Sequence, residues 1–213
     1  FFYLLSKLLR IIYLKKHTQH LLRLCIMKLN RIVNVPREET KLFNELDSNP
    51  TYGELTKQGA CQLINQIKQK DNCKKFCDLG SGIGIVLKYM NDLMPHLEQI
   101  DGIELSEERY NQSINLIKNK IKDKDKKKRI SIVNDDLMTF NTRSYDIIYI
   151  SNLCFNHSFN TKLSQKLDKE LKNNSIVFAS QDLCLTRFHI KTTFSIHQSW
   201  GQNTQMFKYE IIE

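Results

Sequence analysis

The stretch Cys77-Asp78-Leu79-Gly80-Ser81-Gly82-Ile83-Gly84 places a carboxylate just ahead of three alternating glycines. Glycines at this spacing let a chain turn sharply from strand to helix and leave room for a ligand. The spacing is G-x-G-x-G, not the G-x-G-x-x-G of dinucleotide sites. Asp78 would repel a pyrophosphate brought to the helix start, and would attract an ammonium group. Glu104 ends a later apolar run, where an acid can take the two hydroxyls of a ribose. A ligand with a ribose and an amino-acid ammonium satisfies both acids, and S-adenosylmethionine is such a ligand.

Two further groups fall at the same expected edge. Asp136 follows a third apolar run, where its carboxylate can accept from an adenine amino group while Leu137 packs on the ring. A loop acid or helix cap is the competing reading for Asp135 and Asp136. Ser151-Asn152-Leu153-Cys154-Phe155 follows a fourth run. The Asn152 carbonyl can accept from an attacking amine and aim its lone pair, with Phe155 packed beside the amine-bearing chain. An ordinary polar turn followed by a core Phe is the plain alternative.

These residues need a scaffold of alternating strands and helices. Thr56 to Lys70 carries Ala60, Leu63, Ile64 and Ile67 on one face and predicts a helix. The pattern then predicts strand Phe76–Leu79, helix Ile85–Leu93, strand Gln99–Glu104 and helix Ser106–Lys120. Strands Ile130–Val133 and Tyr145–Ile150, helix Phe159–Leu171 and strand Ser175–Ser180 follow. Thr192–Ser199 and Met206–Ile212 read as a closing pair of strands around Gly201. The expected fold is α/β: a doubly wound, mostly parallel sheet. Residues 49–213 form this domain. Residues 1–48 are a basic amphipathic helical segment, Phe1 to Ile32, and a connector from Asn34 to Pro50.

The chain has 213 residues and a formal net charge of +9. It begins at Phe1 and is expected to be a fragment or a processed chain. Residues 1–34 carry +7 and no acid, Lys118 to Arg129 carries +6, and the remainder is mildly acidic. Two basic tracts on such a core suit an acidic partner such as nucleic acid or an anionic surface, although lysine runs are also ordinary solvated surface. No stretch of the sequence reads as a stable membrane span, since Lys7 and Arg10 break the first apolar run. The six cysteines include no Cys-x-x-Cys pair, so reduced thiols and no metal site are expected.

Several of these motifs occur together in one family. Pro50-Thr51-Tyr52-Gly53-Glu54, the Asp78–Gly84 turn, Gly102-Ile103-Glu104, Asp136 and Asn152-Leu153-Cys154-Phe155 resemble those of the disruptor-of-telomeric-silencing family, the non-SET histone lysine methyltransferases. The likeness runs from about Asn49 to Ile212 and implies a seven-stranded class I methyltransferase (Rossmann-like) sheet in a catalytic domain over residues 49–213. It implies a loop at Tyr52 and Glu54 that closes over S-adenosylmethionine, held also by Asp78, Gly80, Ser81, Gly82 and Gly84. Glu104, Asp136, Leu137 and Asn152 complete the implied cofactor site. Tyr52, Asn152 and Phe155 take the implied catalytic roles, and Phe155, Trp200 and Phe207 wall the implied lysine channel.

The implied activity is methyl transfer to a lysine on the globular part of nucleosomal histone three, in the nucleus. The Lys118–Arg129 tract would make non-specific nucleic-acid contact. Ser151 stands where the family usually has a first Asn, Ile85 where it has a polar residue, and Phe207 where it has a Tyr. The remaining alternatives are a non-histone, mitochondrial lysine substrate, an adenine N-methyltransferase, and a binding module without turnover. The basic, apolar N-terminus suits a mitochondrial location.

Overall fold

The computed structural model describes residues 35–45, 49–50, 53–68 and 72–212. The expected N-terminal helices and Tyr52 lie outside the described residues. None of the helices among the described residues is long and apolar enough to cross a membrane.

In chain order the elements are α1 (Arg37–Glu45), α2 (Lys57–Asn65), β1 (Lys75–Leu79), α3 (Ile85–Leu93) and β2 (Gln99–Glu104). Then come α4 (Glu107–Lys120), α5 (Lys124–Lys128), β3 (Ile130–Asn134), β4 (Ile147–Ile150), a 3₁₀ turn at Asn152–Cys154 and α6 (His157–Glu170). β5 (Ile176–Ala179), β6 (Phe188–Gln198) and β7 (Gly201–Ile211) finish the chain. The seven strands form one sheet in the order β3-β2-β1-β4-β5-β7-β6. β1 to β5 are parallel, while β7 runs antiparallel to β5 and β6 antiparallel to β7. The strand order reverses beside β1, and ligands of open α/β sheets bind at the carboxyl ends of strands at such a point.

Period-two alternation sorts the central strands onto two faces. Phe76, Ile100, Ile147, Tyr149 and Phe178 pack against Leu63 of α2 and Leu87 and Met90 of α3. Cys77, Leu79, Ile148, Ile150 and Val177 pack against Phe159, Leu163 and Leu167 of α6. Both faces are therefore apolar, as parallel strands buried on two sides require.

Most boundaries follow local chemistry. The side chains of Ser106 and Asn156 accept from Arg109 N–H and Phe159 N–H and start α4 and α6. The predicted helix from Thr56 begins where Thr56 caps it but stops at Asn65. There Lys208 Nζ donates to Gln66 O (2.7 Å), a cation satisfying a helix C-terminus. Ile67 then turns into the core. The connector from Asn34 to Pro50 contains α1, which the sequence pattern did not reveal. Its apolar surface is mainly one buried Phe43, too little for a periodic stripe.

The basic tract sits far from the carboxyl edge of the sheet. α4 starts beside the end of β2 and spans roughly 21 Å at 1.5 Å per residue. It returns the chain to the beginning of β3, so α5 stands at the amino edge. Arg129 is not a free cation there. Its guanidinium donates to Leu97 O (2.8 Å) and to the side-chain oxygen of Asn91 (2.7 Å), closing the end of α3.

Candidate active site

The chain leaves β1 at Leu79 and is stitched to the end of β2. Gly80 N–H and Ser81 N–H both donate to Ile103 O at 2.9 Å. Gly80 and Gly82 have φ of 89° and 54°, a region that side chains rarely adopt. A Cβ at Gly80 would meet nothing within 4 Å, so the turn opens into space. That space is a cavity of about 230 Å³ at the carboxyl edge.

Glu104 organises the corner. Its Oε2 accepts from Gly82 N–H (2.7 Å) and its Oε1 from Ser106 N–H (3.0 Å). The carboxylate thus already occupies the N–H that a phosphate would seek. Burial pushes the Glu104 carboxyl up, while neighbouring Arg109 and these two N–H groups pull it down. Arg109 also donates to Pro50 O and lies 5.9 Å from the Phe43 ring, tying α1 and the following loop to the cavity rim.

Asp78 lies beside Gly102 on one side and Tyr149 on the other. It is buried, and its Oδ1 has no protein partner. Burial raises its carboxyl well above the usual range, and the Glu104 charge adds to this. Ser81 Oγ is also buried and unpartnered. Buried polar atoms are nearly always satisfied, so an unpaired carboxylate oxygen and hydroxyl facing one cavity mark where a polar ligand completes the bonding. Two carboxylates at this corner suit an ammonium and a diol and oppose a pyrophosphate. The residues present therefore fit S-adenosylmethionine.

The cavity brings together many of the sequence-predicted residues. Asp78, Gly80, Ser81, Gly82 and Glu104 form one wall. Asp136, Leu137, Phe155 and Trp200 line the same cavity. Asp136 Oδ1 accepts from Met138 N–H (2.9 Å), so it caps its own turn as well as facing the cavity. Phe155 is held edge-on to Phe159, with ring centroids 4.9 Å apart.

Four expected residues stand elsewhere. Gly84 is the N-cap of α3 and does not line the cavity. Glu54 lies behind the rim near Tyr89. Phe207 pairs with Ala179 and Thr193 in the sheet, under Lys191. Asn152 is wholly buried outside the cavity. Its carboxamide is spent on Asn160 Oδ1 (2.9 Å) and on Gln181 N–H (2.8 Å), bracing β4 against α6 and the end of β5. Its neighbours Tyr149, Ser151, Leu153 and Cys154 do line the cavity. Sequence reasoning named Ser151 only as part of the motif and missed Tyr149, Phe43 and Arg109.

Gly53 and Glu54 are fixed to the β6–β7 hairpin. Glu54 N–H donates to Ser199 Oγ (3.0 Å) and Ser199 N–H to Glu54 O (2.8 Å). A Cβ on Gly53 would overlap the Trp200 ring at Cζ3. Gly53→Ala must displace the indole from the cavity wall. Its expected result is a loss of roughly 1–3 kcal/mol in stability, from overpacking, with weaker cofactor binding. Thermal melting and calorimetry check both effects.

Fold and site define a class I methyltransferase. Among solved structures, similarity extends to an RNA methyltransferase from Salinibacter ruber in complex with S-adenosyl-L-homocysteine. The TM-score is 0.56 at 16% identity, covering 72% of this chain and 90% of that one. The methyltransferase domain of bacterial CtHen1 gives 0.57 at 18% identity, covering 74% and 100%. Human N-acetylserotonin methyltransferase in complex with SAM gives 0.53 at 11% identity, covering 73% and 52%. At these identities the likeness establishes the fold. No curated protein matches the chain.

The family described as "Histone methylation protein DOT1" matches residues 30–210. The chain belongs to that family, and it is an S-adenosylmethionine-dependent methyltransferase.

Proposed function

We propose that the chain methylates a lysine on the globular part of histone three within the nucleosome, in the nucleus. The observation that carries this reading is the junction of two environments in one cavity. The cavity is lined both by the carboxylate–glycine corner and by the apolar side chains of Leu153, Phe155 and Trp200. An apolar slot admits the methylene stem of lysine and favours its neutral amine over the ammonium.

Asp78 would hold the methionine ammonium, Glu104 the ribose, and Asp136 with Leu137 the adenine. When bound, S-adenosylmethionine would supply an electrophilic methyl group to the amine nitrogen, the carbon–sulfur electron pair staying on sulfur and the ammonium product giving its proton to bulk solvent on leaving the slot. Phe155 and Trp200 exclude water and confine the stem to one line of approach. Gly53 packs against Trp200 and Glu54 bonds Ser199, so this segment and the hairpin hold that wall of the slot together.

Radiolabelled methyl transfer tests the substrate, using intact nucleosomes, free histones, DNA, RNA and a mitochondrial extract in parallel. Label on histone three in nucleosomes supports the proposal. Label on nucleic acid, on mitochondrial protein alone, or on nothing contradicts it.

The exposed lysines of α5 would add affinity for nucleosomal DNA from the far edge of the sheet. Replacing Lys126, Lys127 and Lys128 together by Ala is expected to flatten the slope of log K against log salt. The slope should change by about 0.9 for each phosphate no longer neutralised. Activity on free histones should be unchanged. An unaltered slope in nucleosome binding assays would mean the tract is only solvated.

A further inference from the structure

We propose that the hydroxyls of Tyr149 and Ser151, rather than the carboxamide of Asn152, receive the N–H groups of the acceptor amine. This rests on the amine-methylation reading above and deepens it. Tyr149 lies on β4, whereas Ser151 follows its last residue, Ile150, and leads into the 3₁₀ turn that holds Asn152. Asp78 and Tyr149 are register partners on adjacent strands. Tyr149 and Ser151 line the cavity, and Asn152 does not.

Hydrogen-bond accounting separates the candidates. The Asn152 carboxamide already bonds Asn160 and Gln181 and braces the turn. Turning it toward a substrate would break both bonds. The Tyr149 side chain is 1% exposed, and its hydroxyl makes no well-formed bond within the protein although Ser151 lies beside it. An orphaned hydroxyl at this depth costs about 1–3 kcal/mol, and a ligand that bonds it recovers that cost. Burial pushes the Tyr149 phenol well up and the Asp78 charge adds to this, so it stays neutral and keeps its proton.

Two neutral oxygens side by side are the chemistry an amine needs. Each accepts one N–H, which leaves the nitrogen lone pair pointing away from them. Neither oxygen carries a charge that would hold the amine in its protonated form. A carboxylate in this place would stabilise the ammonium, which has no lone pair to offer. Asp78, the nearest acid, is on this account committed to the cofactor.

The test uses n-butylamine, the lysine side chain without its backbone. It is titrated by NMR into the full chain saturated with S-adenosylhomocysteine. Tyr149→Phe and Ser151→Ala should each weaken n-butylamine binding at least tenfold. Their S-adenosylhomocysteine affinity, read by calorimetry, should stay within about twofold. Tyr149→Phe should melt no lower than the parent, because it removes an unpaired polar atom. Ser151→Thr should restore n-butylamine binding.

Unchanged n-butylamine affinity in both variants would overturn the proposal. So would a parent protein that binds S-adenosylhomocysteine but no amine. Loss of n-butylamine binding in the variants supports it even if nucleosomes prove not to be substrates, because this readout does not depend on the histone.

Discussion

Asp78→Asn will weaken cofactor binding at least a hundredfold and at the same time stabilise the cofactor-free protein at neutral pH. The carboxylate is buried against Glu104 with one oxygen unpartnered. Its folded-state pKa therefore lies above the ordinary value of 3.8. The folded state holds this proton more tightly than the unfolded chain. Stability is then greatest below the unfolded pKa and declines as pH rises through the folded one. Asn has the same shape without the charge and removes that decline. A gain of about 1 kcal/mol is expected, or roughly 2–4 °C in melting temperature for a chain this size.

The cofactor's ammonium, in contrast, loses a buried charged partner. Such losses run to about 3–5 kcal/mol, or roughly 10²–10⁴ in affinity. Parent affinity should also fall as the pH drops and Asp78 protonates, while any residual affinity of the variant should lack that dependence. Melting curves across pH and calorimetric titrations measure both. A variant that binds normally, or melts lower at neutral pH, contradicts this account of Asp78.

Glu104→Gln should lose the cofactor too, but with the opposite effect on stability. Both Glu104 oxygens accept backbone N–H groups, from Gly82 and Ser106. A carboxamide has one acceptor oxygen, and its NH₂ must then face the other N–H. One buried donor is left unsatisfied, at about 1–3 kcal/mol. The turn at Gly82 loosens, and the ribose loses a charged acceptor. A melting temperature lower by several degrees and a cofactor affinity reduced at least tenfold are the expected results. The two acids sit at one edge and are both buried. Their substitutions differ in sign because Glu104 is bonded within the protein and Asp78 leaves an oxygen for the ligand.

Features determined by neighbours in sequence were legible. The helix Ile85–Leu93 and the strand Gln99–Glu104 coincide with the elements read from apolar spacing. The Asp78–Gly82 turn and Glu104 come together at the cavity as expected. What escaped depends on partners distant in sequence. Phe43 is held in place through Arg109, 66 positions later. The closing strands are longer than their apolar cores because β6 and β7 pair with each other along polar, half-exposed stretches. Tyr52 lies outside the described residues.

The choice between Ser151 and Asn152 was not legible locally, because both lie past Ile150, the last residue of β4, where period-two alternation no longer applies. The Asn side chain looked better suited to the chemistry, but its bonds to Asn160 and Gln181 come from α6 and the end of β5. No local pattern announces those.

The central claim is that the carboxylate–glycine corner binds S-adenosylmethionine with its ammonium on Asp78 and its ribose on Glu104. A crystal structure of the full chain with S-adenosylhomocysteine tests it most directly. The account predicts the ligand amine within hydrogen-bond distance of Asp78 Oδ1, and the ribose hydroxyls on the Glu104 carboxylate. A ligand seated away from these two acids, or a phosphate in its place at the glycine turn, would contradict it.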